Sequence, residues 1–259
     1  MGALEVVRTG MMAQDRSGGT HTSRTILLQE LRGLLGAVPA GADSAEYRNA
    51  VIEQNVLGKK TLSSRQRTHR YLRELYALDP RILLFRALRD LWDVDIEAQP
   101  SLAILCALAR DPSLLATSAA VLPEAPGTRV AATDLQQALM NRYQGNYSVA
   151  VANKVGRNAA SSWTQSGHLV GHIGKTRAQA TCRPPAVAYA LLLGHLEGAV
   201  GEGLFDTFWA RVLDAPLGVL HEQAFTDSQR GWIDFRHGGG VTDVGFSFLC
   251  RGPMGETSL

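Results

Sequence analysis

Residues 148–167, SVAVANKVGRNAASSWTQSG, decide how this chain is read. At helical spacing Val151, Ala152, Val155, Ala159 and Trp163 share one apolar face, while Lys154, Arg157, Asn158, Ser161 and Gln165 share another that holds no acid. Lys and Arg neutralise phosphates, Asn and Gln pair with adenine edges, and the major groove admits a helix. Ser148 is a capping type and Gly167 a stop, so a helix is expected over 148–166. Before it, 133–143 carries Thr133 and Gln136 at capping-box spacing, followed by the turn Gln144-Gly145-Asn146. After it, 168–182 is too glycine-rich for a helix, and it carries Lys175 and Arg177 before Pro184-Pro185. Helix, turn, helix and a short glycine-punctuated segment is the order of a winged helix-turn-helix. In that reading 148–166 is the recognition helix, and Lys175 and Arg177 sit on the wing.

The surrounding charge pattern points the same way. From Leu135 to Leu196 there is no Asp or Glu, although the whole chain carries 26 basic and 24 acidic residues. A one-signed stretch creates a local field that attracts polyanions. A second cluster, Lys59, Lys60, Arg65, Arg67, His69, Arg70 and Arg73, has no acid between Glu53 and Glu74. Cations near a helix N-terminus oppose its macrodipole, a cost that a phosphate would offset. The same patterns also describe solvated surface helices whose charges pair with acids elsewhere in the chain.

At 259 residues, 45% hydrophobic and 19% charged, the chain can fill an ordinary core as one large or two small domains. Its longest apolar runs, such as 186–193, fall far short of the roughly 20 residues a membrane span needs. Residues 1–19 lack the apolar core of a signal peptide. Three widely spaced cysteines, Cys106, Cys182 and Cys250, suit a reducing compartment. A soluble cytoplasmic protein is expected. The fold class read from this pattern is mainly α, with winged-helix-like elements and short β-hairpins. An N-terminal helical domain is expected over 19–122, with helices at 23–35, 44–58, 62–78, 80–92, 101–108 and 113–122. A winged-helix-like unit over 128–184 follows the loop 123–127. A C-terminal unit over 185–250 has helices at 186–199, 203–213 and 216–228, then a hairpin over 232–249 turning at His237-Gly238-Gly239-Gly240. Residues 1–18 and 251–259 read as loose ends.

No chemistry-bearing motif survives inspection. Gly174-Lys175-Thr176 suggests a phosphate loop, but that motif needs a glycine where Leu169 stands and a helix to follow. His168 and His172 lie beyond the glycine stop, with Cys182 and His195 the only additions nearby, and no CxxC or HExxH occurs. Glu202, Asp206, Asp214, Glu222 and Asp227 are scattered acids without a nuclease pattern. No catalytic residue, metal or cofactor is therefore expected.

Two stretches, 51–92 and 147–170, resemble the BrxA-like family of bacteriophage-exclusion (BREX) defence systems. That family has an "N-L-L-x-K-x-S" segment before an Arg-rich helix, matched by Asn55, Leu57, Lys59 and Ser63, and a later "x-x-G-x-L" step, matched by Gly167 and Leu169. The likeness covers residues 20–180 and leaves 232–249 unmatched. It implies a helical, non-enzymatic nucleic-acid-binding component that works beside a methyltransferase and ATPases, and it transfers no catalytic residue.

The sequence thus leads to a DNA-binding protein, with double-stranded DNA as partner and RNA as the alternative. Its contact residues are Lys59, Lys60, Arg65, Arg67, Arg70, Lys154, Arg157, Asn158, Ser161, Gln165, Lys175 and Arg177. The rival is a protein-interaction scaffold in a defence complex, docking through Phe205, Phe208, Trp209, Phe225 and Trp232.

Overall fold

Helices with one leucine- or alanine-rich face build most of the molecule. The computed structural model describes residues 17–172 and 174–252, so the expected loose ends fall largely outside the described residues. The first helices are α1 (Leu28–Ala37), α2 (Ser44–Ile52), α3 (Leu62–Tyr76), α4 (Leu83–Trp92), α5 (Gln99–Arg110) and α6 (Pro112–Thr117). There follow α7 (Ala132–Arg142), α8 (Val149–Gln165), the strands β1 (Leu169–Val170) and β2 (Thr176–Arg177), and α9 (Pro184–Leu196). The chain closes with α10 (Phe208–Val212), α11 (Leu217–Gln229), β3 (Asp234–Gly238) and β4 (Val241–Gly245). The fold is mainly α with two short antiparallel hairpins. One hydrophobic core runs from Ile26 to Leu249 through all three expected units. A satellite of Ala116, Leu139, Tyr143, Ala152 and Val155 joins α6, α7 and α8.

Local chemistry sets the boundaries. Asp43, not Ser44, caps α2, accepting from the amides of Ala45 and Glu46 while Glu46 reaches back to the Asp43 amide. Thr61 and Ser64 form the corresponding box on α3. The box expected from Thr133 and Gln136 is instead closed by Asp134, whose Oδ2 accepts from the Ala131 amide at 2.7 Å. Ser148 caps α8 as expected, and Gly167 at φ 86° ends it.

The helix expected over 23–35 begins only at Leu28. Residues Thr20–Thr22 form a 3-10 turn, and the chain then runs as an extended strap to Leu27, whose φ of 53° is left-handed. Its amides are claimed by α8: Ile26 N donates to Ser162 Oγ at 3.0 Å and Leu28 N to Gln165 Oε1 at 3.2 Å. These bonds compete with continuation of the helix.

Helices α7 and α8 pack closely at Gly156, where a Cβ would stand 2.3 Å from the Ala132 carbonyl oxygen. The wing follows. Leu169 pairs with Arg177 and Val170 with Thr176, and an antiparallel bridge from Thr176 to Arg129 brings in the segment before α7. Strand-like segment, helix, helix, strand, strand is therefore the order around α8.

The C-terminal hairpin is shifted from its expected place. Asp234 pairs with Gly245, and Gly239-Gly240 alone make the two-residue turn. Phe246 and Phe248, expected to alternate in a strand, lie beyond β4, the first buried and the second exposed. Among the described residues no single helix is long and apolar enough to cross a membrane.

Asp227 on α11 is buried, and among the described residues its carboxylate oxygens have no well-formed hydrogen bond, although the Ala188 amide lies near them. Burial pushes its pKa up to about 9. The unfolded chain releases this proton near the ordinary carboxylate range, so stability falls as pH rises from there towards about 9. Asp227→Asn is expected to raise stability at pH 8 by roughly 1–3 kcal/mol, with little effect near pH 4, as read by urea melts at both pH values.

Candidate nucleic-acid interface

The twelve residues expected at the interface fall into three groups. Lys60, Arg67, Lys154 and Arg157 are exposed, and among the described residues none has an acidic group within salt-bridge reach. Lys154 and Arg157 stand in the first half of α8.

A second group is partly engaged. Arg70 pairs with Glu74 at 3.6 Å and lies over the Tyr71 ring, 4.7 Å from its centroid. Lys59 is held by Glu30 at 2.9 Å, and Arg65 donates to the Ile52 carbonyl at 3.0 Å. Lys175 donates to Thr164 Oγ1 at 2.7 Å and to the Gly171 carbonyl at 3.3 Å, and desolvation lowers its pKa. It therefore presents a constrained charge between α8 and the wing, on a loop with no helix behind it to cradle a phosphate.

The third group is spent inside the protein, which corrects the expectation drawn from the helical wheel. Asn158 Nδ2 donates to the His21 carbonyl at 2.8 Å. Gln165 holds the Leu28 amide, and its Nε2 lies 3.5 Å from Ser161 Oγ. Arg177 is the clearest case. Its side chain is 1% exposed, paired with Asp214 at 2.9 Å and donating to the carbonyls of Val121 and His168. It is an internal cross-brace and cannot reach DNA. Val151, expected in the apolar stripe, is exposed instead.

Two cations missed in the sequence border the same surface. Arg129 is exposed at the wing bridge, with no acid among the described residues within salt-bridge reach. Arg24 on the strap lies over the other basic cluster's Tyr71, 5.4 Å from the ring centroid. Neither stands in a basic run, so only tertiary structure reveals them. The strap thus separates α3 from α8. His21 and Arg24 are three positions apart, which limits their Cα separation to about 11 Å.

The strap is fastened by a constellation that looks catalytic. His21 Nδ1 lies 2.7 Å from Asp111 Oδ2, and His21 Nε2 lies 2.8 Å from Ser162 Oγ. All three residues are buried. Ser162 Oγ also accepts from Ile26 N and lies 3.0 Å from the Asn158 carbonyl. A nucleophile needs room for a substrate carbonyl, and this hydroxyl is enclosed on every side by its own protein. The cleft of about 570 Å³ beside the strap is lined by Gly18, Thr20, Ser23, Arg70 and Tyr71, among others, and Ser162 does not line it.

Of the aromatics expected to form a docking surface, Phe205 and Trp209 are buried, Phe208 and Trp232 half-buried, and only Phe225 is exposed. No protein-family model matches the chain, and no curated protein is significantly similar to it.

Truncating the buried brace and the exposed cations should have opposite signatures. Arg177→Ala is expected to cost about 3 kcal/mol, because Asp214 loses its partner and two carbonyls lose donors. Lys154→Ala and Arg157→Ala should stay within about 0.5 kcal/mol of the parent in the same denaturant titration.

Proposed function

We propose that this protein is a non-enzymatic, double-stranded-DNA-binding component of a bacterial phage-defence system of the BREX type, acting in the cytoplasm. The observation that carries the DNA reading is the exposed, acid-free edge of α8 formed by Lys154 and Arg157, set beside a two-stranded wing. The defence assignment rests on the resemblance of residues 51–92 and 147–170 to the BrxA-like family. In that setting a methyltransferase or ATPase is the expected protein partner.

The internal bonding of Asn158 and Gln165 refines the mechanism. Both amides hold the strap, so little capacity for reading base edges is left on the exposed edge of α8. Affinity comes from phosphate contacts by Lys154, Arg157 and Arg129, with Lys60 and Arg67 extending the field beyond the strap. Binding is then sequence-tolerant and salt-dependent.

A gel-shift titration of a ~30-base-pair duplex over a range of salt tests this. About four phosphate contacts give a log–log slope near −3.6. Arg157→Ala should weaken binding to all sequences alike and make the slope shallower by about one. Tighter binding to an RNA duplex of the same length would move the assignment to RNA. No shift at low salt by a monodisperse sample would sink the nucleic-acid reading in favour of the scaffold.

A further inference from the structure

The C-terminal unit brings together three metal-ligating side chains from three separate elements. Glu202 comes from the 3-10 turn Gly201–Asp206, His221 from α11 and His237 from β3. Each offers a ligand atom, and these atoms lie within 4.8 Å of one another. His221 Nε2 stands 3.1 Å from Glu202 Oε1, and His237 Nδ1 stands 3.8 Å from Glu202 Oε2. The two imidazole centroids are 4.6 Å apart.

Hydrogen bonding accounts for only part of the arrangement: His237 Nδ1 lies 2.8 Å from Thr242 Oγ1, which donates to Glu202 Oε2, and His221 stands outside this chain. His221 Nε2 is buried and makes no hydrogen bond, although the carboxylate is close, because the oxygen lies off the direction in which the ring nitrogen donates or accepts. Side chains that share a tetrahedral ion have this relation: near one another, yet aimed at a common point. With metal–ligand bonds of about 2.0–2.1 Å, ligand atoms around a tetrahedral ion stand roughly 3.3 Å apart. The 3.1 Å between His221 Nε2 and Glu202 Oε1 is close to that spacing, and since the ligand atoms, one per residue, lie within 4.8 Å of one another, a bound ion would draw the set inward.

The surroundings supply the outer parts of such a site. Thr242 Oγ1 donates to Glu202 Oε2 and so orients the carboxylate, the role outer partners play around bound metals. His221 packs edge-on against Phe205, centroids 4.5 Å apart, with Phe235 at 5.7 Å, which gives one side of the cluster an apolar wall. Glu202 and His237 remain about half exposed, leaving the opposite side open to water.

We propose that Glu202, His221 and His237 form a mononuclear binding site for Zn²⁺ or a similar borderline divalent ion, with water completing the coordination. His237 Nδ1 would exchange its 2.8 Å contact with Thr242 Oγ1 for the metal, while Thr242 keeps its bond to Glu202. The bound ion cross-links the 3-10 turn, the last helix and the hairpin. Two imidazoles and one carboxylate suit Zn²⁺ and Co²⁺ better than Mg²⁺ or Ca²⁺. This inference is independent of the DNA reading.

The test uses the full chain after treatment with a chelator. Zn²⁺ titrated calorimetrically should bind at one ion per chain and raise the melting temperature. Co²⁺ should give the visible absorption of a four-coordinate ion. Glu202→Gln and His237→Gln sit at exposed positions, and their metal-free melting temperatures should match the parent. Each should weaken Zn²⁺ binding at least tenfold. Mg²⁺ should leave the melting temperature unchanged. Zn²⁺ binding that is absent, or as tight in a Glu202→Gln/His237→Gln double variant as in the parent, would overturn the proposal.

Discussion

The structure depends on one buried imidazole. His21 spans Asp111, which caps α6, and Ser162 in the last turn of α8, so a single ring ties the strap, the α5–α6 corner and the recognition-like helix together. Asp111 is saturated: Oδ1 accepts from Ser113 N, Ser113 Oγ and Leu114 N, and Oδ2 accepts from the backbone and ring of His21. Burial pulls its pKa up, but His21 and these donors win, and the carboxyl is held below its ordinary value. Its contribution to stability is therefore complete at neutral pH and is lost only as pH falls through the lowered value. The packing is tight enough to require glycine at 19, where a Cβ would stand 1.9 Å from Asp111 Oδ1 and φ is 142°.

That clamp determines what α8 can do. A helix with an apolar face and a polar face has its polar face free only if nothing covers it. Here the strap covers the part that carries Asn158, Ser162 and Gln165 with at least four hydrogen bonds rather than apolar burial. The helix retains an outward edge at Lys154 and Arg157. It has the charge to engage phosphates but has surrendered the amides that would read adenine.

Much of the fold was legible because helical periodicity and capping are local. The helices that become α3, α4, α8 and α9, the glycine stop at Gly167 and the glycine-turned C-terminal hairpin all follow from residues within a few positions of one another. The strap was not legible, since Ile26, Leu27 and Leu31 continue an amphipathic pattern that nothing nearby interrupts. Its partners on α8 lie more than a hundred positions away. Arg177 failed for the same reason: an acid-free stretch of sequence says nothing about Asp214, which folding brings to 2.9 Å. Glu202, His221 and His237 were invisible as a set because each comes from a different element.

The near-zero net charge can now be resolved into space. Acids remote in sequence neutralise two of the buried or braced cations, Asp214 taking Arg177 and Glu30 taking Lys59, while Arg70 is paired locally with Glu74 one helical turn on. Among the described residues, the exposed cations with no acid within salt-bridge reach include Lys60 and Arg67 on the α3 flank of the strap and Lys154 and Arg157 on the α8 flank. The Debye length is about 10 Å at 0.1 M salt and about 30 Å at 0.01 M. At low ionic strength the two flanks act on a polyanion as one field. Near physiological salt each flank is screened from the other, and only cations in direct contact with phosphate still count. In the proposed DNA complex, the charge that would steer a duplex to this surface is therefore larger than the charge that would hold it there.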